Sequence, residues 1–360
     1  MSAPVKEAPV PDLDSEELRR RSRRTLLLSL IWPGALLVLA AVLARIELPD
    51  EVRGALDGGL HPLPFALGIV LSTASIPAMG MRWRALLADA RGRGLSPAVM
   101  TAVVAVAQLM GSALPGPVGE LAAAGLLKKR GGVPVEEALA SAVHARALGL
   151  LSGALLALVV QIVLPPPVPE AWRGPLLIGA AVATVGALAL FGLVLFSDRL
   201  ERIPEPSWLA ALDARPGKAS ALLARGMRAG RSFIEACAGV GSGSLMPHGI
   251  AMGWALTALV FSAGATMLTL DGLGADYDVA GVLFTQGAIS VIAVVLVLLP
   301  GLAAGWDAAY VALLVTTAGV PLVPAVAVTG ILRIHHTIIM AFGAPALAWL
   351  VRRDSPPPEL

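Results

Sequence analysis

The sequence predicts an all-α polytopic membrane protein with six spanning helices and two re-entrant hairpins, arranged as an inverted repeat. Three observations carry that prediction. Hydrophobic residues make up 56% of the 360-residue chain and charged residues only 14%, against about 25% charged in a soluble domain. Several stretches reach about 20 apolar residues, the length that spans a bilayer as a helix, and none alternates as barrel strands do. The third observation is a broken apolar segment, "LPGPVGELAAAGLLKKRGGVP" at 114–134, which returns as "LPGLAAGWDAAYVALLVTTAGVP" at 299–321.

The elements follow in order. Residues 1–24 form a polar tail rich in arginine, ending "RRRSRR" before Thr25. The run 25–44 is long for the apolar core of a signal peptide and lacks an obvious cleavage site, so it reads as a retained span. Further spans are expected at 62–81, 135–164, 174–197, 246–270 and 321–351. The segments 97–130 and 279–318 each have an apolar arm, a Leu-Pro-Gly turn (Pro115, Gly116; Pro300, Gly301) and a second arm.

Positive charge sets the orientation, because cytoplasmic loops are enriched in Lys and Arg. The N-terminal arginines, Arg82, Arg84, Arg91 and Arg93, the loop 198–245 and Arg352–Arg353 all fall inside if each broken segment turns back. Lys128, Lys129 and Arg130 then fall inside too. The loop 271–278, with three acids and no cation, falls outside. Both termini are cytoplasmic in this scheme. A turn buried in lipid needs protein or a wet cavity around its backbone polar groups, so each hairpin should border one. The loop 198–245 mixes apolar and basic residues and reads equally as an amphipathic helix on anionic lipid or as a helical connector.

The two broken segments align. The interval from Glu120 to Pro134 equals that from Asp307 to Pro321. Arg146 follows Pro134 at the same interval as Arg333 follows Pro321. Three spans separate the hairpins, an odd number, so the copies are inverted. The halves are 25–164 and 174–351, followed by a tail at 352–360. Inverted repeats with broken helices near the midplane are the build of many transporters.

Pro134 suits the first turn of a helix, and Glu136 and Glu137 suit its positive end. Arg146 then lies roughly 18 Å along that helix, with Arg333 at the matching depth from the other side. An intramembrane arginine either snorkels to the interface or faces a partner or wet cavity. The symmetric placement favours the second. A guanidinium forks onto a phosphate, so a phospholipid head is the candidate ligand. Glu120 and Asp307 are candidate ion-pair partners. His144, His335 and His336 sit near the arginines without zinc-binding spacing and read as cavity lining. Gln108 and Gln161 read as helix-contact amides. Trp83, Trp172, Trp208 and Trp349 fit an interfacial belt. The single Cys237 excludes an internal disulfide and a cysteine-based metal site. No phosphate-binding glycine loop, nucleophile elbow or metal-binding carboxylate pair is present.

"MRWRALL", "LPGPVGELAAAGLLKKRGGVPVEEALASAVHARALGLL" and "LPGLAAGWDAAYVALL" resemble the membrane region of the lysylphosphatidylglycerol synthetase family, also called the flippase-like domain family, over about 25–351. The resemblance implies movement of phospholipid between leaflets of a bacterial inner membrane. The soluble transferase domain of that family has no counterpart here, so lipid synthesis is not implied. Three motifs depart from the family pattern. The family's Gly-Gly-Asp with an arginine three positions later is Gly119-Glu120 and then Ala123. The glutamate usual before the arginine matched by Arg146 is Ala145. The common Arg-Glu of the second copy is Trp306-Asp307.

The expected function is therefore a lipid flippase-like transporter, not an enzyme. Its expected partners are anionic or phosphate-bearing phospholipids, with no cofactor, metal or nucleic acid. A non-transporting scaffold for an envelope glycolipid or polysaccharide enzyme is the rival reading. A membrane-embedded enzyme using His144 or His335 is a third.

Overall fold

A computed structural model describes residues 61–91, 94–113, 118–196, 235, 237–238, 245–297 and 303–352. Within these the chain is helical: α1 (Pro62–Arg91), α2 (Pro97–Ala113), α3 (Val118–Gly131), α4 (Val135–Val163), α5 (Glu170–Leu195), α6 (Leu245–Gly272), α7 (Val279–Val297), α8 (Ala303–Thr317) and α9 (Leu322–Arg352). α1, α4, α5, α6 and α9 are long and apolar enough to cross a membrane. They fall on five of the six expected spans, so the chain is a multi-pass membrane protein. The expected span 25–44, both polar tails and nearly all of the loop 198–245 lie outside the described residues.

One boundary differs from the sequence reading in a way that matters. α1 does not stop at Met81 but runs on to Arg91, so Arg82 and Arg84 stand on a helix and not in a loop. Hydropathy falls where the apolar run ends, but the backbone ladder has no reason to end there. "RWRALLADAR" holds no Gly or Pro, and most of it consists of good helix formers.

α1 and α6 pack antiparallel along their length. The amide of His61 donates to the Gly272 carbonyl at 3.2 Å, and Leu86 shares a buried cluster with Ala251 at the opposite end. Around this pair the other helices dock reciprocally. α2 packs on α1 and α3, while α7 packs on α6 and α8. α4 crosses to α7, and α9 crosses to α2. Both crossings use small residues that let backbones approach, the packing mode open to helices in lipid. A Cβ at Gly287 of α7 would lie 2.6 Å from the Gly153 carbonyl oxygen of α4. One at Gly343 of α9 would lie 2.7 Å from the Ala105 carbonyl oxygen of α2.

The arms of each hairpin run back on each other. At the first, Leu95, just before α2, packs on Gly131 at the end of α3. At the second, the Asp278 amide donates to the Ala318 carbonyl at 2.9 Å, and the Thr285 and Thr317 hydroxyls meet at 2.9 Å. Each hairpin therefore opens and closes at one end. Pro115, Gly116, Pro300 and Gly301, the expected turns, lie outside the described residues.

The turns that end α3 and α8 share one backbone pattern. Gly132 and Gly319 take left-handed φ of 60° and 67°, a conformation glycine adopts freely at a helix C-terminus. The Val133 amide then reaches back to the Leu127 carbonyl at 3.4 Å, and the Val320 amide to the Leu314 carbonyl at 3.2 Å. These bonds satisfy carbonyls the helix end leaves open. Val133, Val320, Leu127 and Leu314 are all buried, the apolar contact that accompanies this motif. Pro134 stands one residue outside α4, as its N-cap. Its carbonyl accepts the Ala138 amide at 3.0 Å, as that of Pro321 accepts Ala325 at 3.0 Å.

Close approach makes Gly281 intolerant of a side chain, because a Cβ there would collide with the Thr317 carbonyl oxygen. Gly281→Val is expected to destabilise the second hairpin by at least about 1–3 kcal/mol, the range for overpacking. Gly125→Ala, on an exposed helical site with nothing within 4 Å, is expected to be neutral or to stabilise by up to about 1 kcal/mol. Thermal midpoints of the two detergent-solubilised variants check both signs.

Candidate functional site

Two ion pairs stand at matching intervals from the two Gly-Val-Pro turns. Arg146 of α4 pairs with Glu120 of α3. Arg333 of α9 donates from Nε to the Asp307 carboxylate of α8 at 2.7 Å. Each pair spans 26 residues and joins the second arm of a hairpin to the helix that follows it.

The spacing explains the pairing. α3 and α4 fold back on each other at the Gly-Val-Pro turn. Glu120 lies as far before the end of α3 as Arg146 lies after the start of α4. At about 1.5 Å per residue both stand roughly 16 Å from the turn, side by side. Asp307 and Arg333 stand at distances from their own turn that match to within one residue, with the same result.

Neither pair is sealed. The side chains of Arg146 and Glu120 are 56% and 21% exposed; those of Arg333 and Asp307 are 28% and 31% exposed. The pairs therefore open to whatever surrounds the helices. Charges inside apolar helices persist where a partner offsets their cost, and they commonly face a wet cavity or a ligand.

The surroundings differ between the halves. Arg333 lies over the face of Trp306, 4.7 Å from the ring centroid. Trp306 stacks on Tyr310 with centroids 5.0 Å apart and planes 7° apart. The buried Tyr310 hydroxyl meets Thr266 at 2.7 Å and receives the Gln286 amide at 3.1 Å. Gln286 also donates to Ser262 and Thr266. A continuous polar and aromatic path thus runs from Arg333 through α8 into α7 and α6. Among the described residues the first half has no such stack. There Arg82 lies over Gly149, one turn beyond Arg146: a Cβ on Gly149 would sit 2.6 Å from Nη1.

His144 and His335 face other groups. His144 is fully buried. Its Nδ1 lies 2.9 Å from the Ala140 carbonyl, which requires a proton there. Its ring faces His248 of α6, with centroids 5.9 Å apart, and not the Glu120–Arg146 pair. His335 is buried against α1, with Nδ1 3.3 Å from the Ser72 hydroxyl. His336 lies near the Arg333 charge. Gln108 reaches the Met79 sulfur at 3.5 Å, and Gln161 is buried. Trp172 and Trp349 are exposed. Trp83 is buried, and donates to the Ser141 hydroxyl at 2.8 Å. Trp208 lies outside the described residues. Among the described residues no group of three or more His, Cys, Asp or Glu has a metal-holding arrangement.

An apolar groove of about 760 Å³ lies between α1, α2 and α9. Val70, Thr73, Ala102, Phe342 and Trp349 are among the residues that line it. It includes neither arginine pair. The residues missed from sequence are Arg82, Trp306, Tyr310, Gln286 and His248. Only the first two carried a signal: Arg82 within "MRWR" directly after an apolar run, and Trp306 beside the acid of the second copy.

No curated protein and no solved structure matches the chain at a significant level. One family profile does, that of the lysylphosphatidylglycerol synthase TM region, over residues 26–343. That match takes in α1 to α8, both ion pairs and about two thirds of α9, so the chain belongs to the lysylphosphatidylglycerol synthase transmembrane-region family.

Proposed function

We propose that this chain is a flippase-like or scramblase-like lipid transporter of the bacterial cytoplasmic membrane, with no catalytic step of its own. The observation that carries the reading is the pair of arginine–carboxylate contacts at matched heights, each left open beside a hairpin. A phospholipid phosphate competes with the carboxylate for the guanidinium fork. A pair that exchanges partners in this way lets a charged head leave water without crossing hydrocarbon unpaired.

The architecture supports two finer parts of the proposal. The second arms α3 and α8 have 14 and 15 residues, roughly 21–23 Å of helix, short of the ~30 Å hydrocarbon core. Together with the antiparallel arms, this favours hairpins that dip in and return. The reciprocal docking and the matched Gly-Val-Pro exits favour two repeats of opposite orientation, 25–164 and 174–351. In that scheme Arg146 serves the cytoplasmic leaflet and Arg333 the outer one.

Leaflet exchange of labelled anionic phospholipid in proteoliposomes tests the transport. Arg146→Lys and Arg333→Lys keep the charge but lose the planar fork, so both are expected to slow exchange about tenfold or more at unchanged expression. Exchange that survives both substitutions would leave snorkelling as the account of the arginines. No exchange by the native chain across a panel of phospholipids would favour a scaffold for an envelope-biosynthesis enzyme.

Cysteine labelling tests the hairpin orientation. Cys237 is buried, and burial pushes its thiol up to about 11, so it carries little thiolate near neutral pH and gives a low background. Lys129 is exposed at the end of α3. Lys129→Cys is expected to react with an impermeant maleimide only from the cytoplasmic side; reaction on intact cells would overturn the first hairpin.

A further inference from the structure

The apolar groove between α1, α2 and α9 has a counterpart in the other half, and there a helix lies in it. Ile69 and Val70 of α1, Ala98 and Ala102 of α2, and Phe342 and Trp349 of α9 are among the groove's lining. Val70 and Phe342 are 61% and 51% exposed. Exposure alone identifies no occupant, because lipid tails surround an apolar side chain as well as another helix does. The helix in the matching crease does identify one.

That crease lies between α4, α7 and α6, and α5 packs along it. Ala180 of α5 shares a buried cluster with Ala157 and Val160 of α4 and Phe284 of α7, and Leu283 of α7 packs against it. Ala187 shares a second cluster with Leu151 and Ala154 of α4. Leu155 of α4, Val291 of α7 and Met252 of α6 pack against that one. Further along α5, the Phe191 ring meets the His248 ring of α6 at 5.8 Å.

Counting along the chain equates the two creases wall by wall. Phe342 follows Pro321 at the interval by which Leu155 follows Pro134. Ala98 precedes Pro115 at the interval by which Leu283 precedes Pro300. Ile69 stands as far along α1 as Met252 stands along α6. Each wall of the groove thus carries a residue whose counterpart packs against a cluster that α5 enters. In the chain, α5 is the apolar span that precedes α6. The apolar run that precedes α1 is "TLLLSLIWPGALLVLAAVLA", 25–44, which holds no charged residue. It lies outside the described residues. Residues 45–60 join it to the start of α1, and when extended, at about 3.3 Å per residue, they outreach the whole of that helix.

We propose that the run 25–44 seats in the groove between α1, α2 and α9, antiparallel to α9, as α5 seats between α4, α7 and α6. The groove is then an interface within the chain, and not a seat for a lipid tail or for a second copy. The inference rests on the two-repeat part of the proposed function, which supplies the equivalence. Its direction comes from α5. The early residue Ala180 meets the late part of α4, and the late residue Phe191 meets the early part of α6. The early part of the run therefore belongs beside Trp349, and the late part beside Val70.

The test is disulfide cross-linking of the full chain in native membranes, on a Cys237→Ser background. Positions 26–43 are replaced singly by cysteine and combined with Trp349→Cys or with Val70→Cys. Phe342→Cys and Ala98→Cys serve as second anchors should either of those express poorly. Linked peptides are quantified by mass spectrometry, and Ala154→Cys with Ala187→Cys is the positive control. Positions 26–32 are expected to link to Trp349→Cys and positions 37–43 to Val70→Cys. Within each set the linking positions lie three or four residues apart and exceed those between them about fivefold or more, because one helix face makes the approach. No link from any position while the control pair links, or equal yield at all positions, overturns the seat. So does a Phe342→Cys link between two copies in its place, or labelling of the groove by a phospholipid with a photoreactive tail. Links in the reverse order overturn the direction, and the repeat from which it comes. Leaflet exchange on the same membranes separates the readings. Exchange without groove links removes the seat alone, and groove links without exchange remove transport alone.

Discussion

A charge carried into hydrocarbon must find its counter-charge close by, and in this chain that requirement fixes how each half folds. The carboxylate and the arginine are on consecutive helices, so they meet only if the chain between them reverses sharply at a set distance. Gly-Val-Pro does this. The glycine takes the left-handed turn that closes one helix, the valine buries itself against the leucine six residues back, and the proline carbonyl starts the next helix. With near-equal residue counts from the acid and from the arginine to the turn, each pair closes at a similar distance from its turn. A residue inserted between the acid and the turn would rotate the acid by about 100° and lift it by about 1.5 Å, and the pair would part.

The rest of the packing follows from holding these units together without a hydrophobic drive between apolar helices in lipid. Contact must come from backbone approach and from polar side chains. α4 meets α7 through Gly153 and Gly287, and α9 meets α2 through Gly343 and Ala105. Each span that carries an arginine is thus clamped to the first arm of the other half's hairpin. Hydroxyls along the helices spend their donors on their own turns, as Ser152 does on Leu148 and Thr329 on Ala325. Such donors are then satisfied without reaching into lipid. Where donors do cross between helices, at Gln286, Thr266 and Tyr310, they form a closed network and not a scatter of single bonds.

Much of this was legible in one dimension because it depends on spacing. Five spans follow from apolar length, both pairs of hairpin arms from the Leu-Pro-Gly between two apolar stretches, and the carboxylate–arginine partners from equal counts to a proline. What was not legible depends on lateral direction. Hydropathy marked an end to α1 at Met81, so Arg82 read as a loop cation, although nothing in "RWRALLADAR" breaks a helix. Trp83 read as an interfacial residue, because an indole at the edge of an apolar run has the same local sequence whether it faces headgroups or Ser141. His144 and Arg146 are two residues apart, so roughly 200° of helix separates them. Closeness in sequence brought the histidine into the candidate site, and that angle takes it out. Gln286 and Tyr310 lie 24 residues apart on different helices, and no periodicity links them.

The departures from the family pattern gain a physical reading from the same geometry. The second copy has Trp306 where an arginine is common, and the indole face lies against Arg333. A ring in that position attracts the guanidinium by about 0.5–2 kcal/mol, whereas an arginine there would repel it. Arg333 is thus held between an aromatic face and the Asp307 carboxylate. In the first half Ala145 stands where an acid is usual, which leaves Glu120 as the carboxylate paired with Arg146. Arg82 adds a second cation beside it. The two ion contacts therefore sit in different surroundings, an aromatic face beside Arg333 and a second arginine over Gly149, one turn beyond Arg146. Two units of similar backbone thus differ in what they hold, and the difference resides in side chains at the ends of an otherwise matched pair of ion contacts.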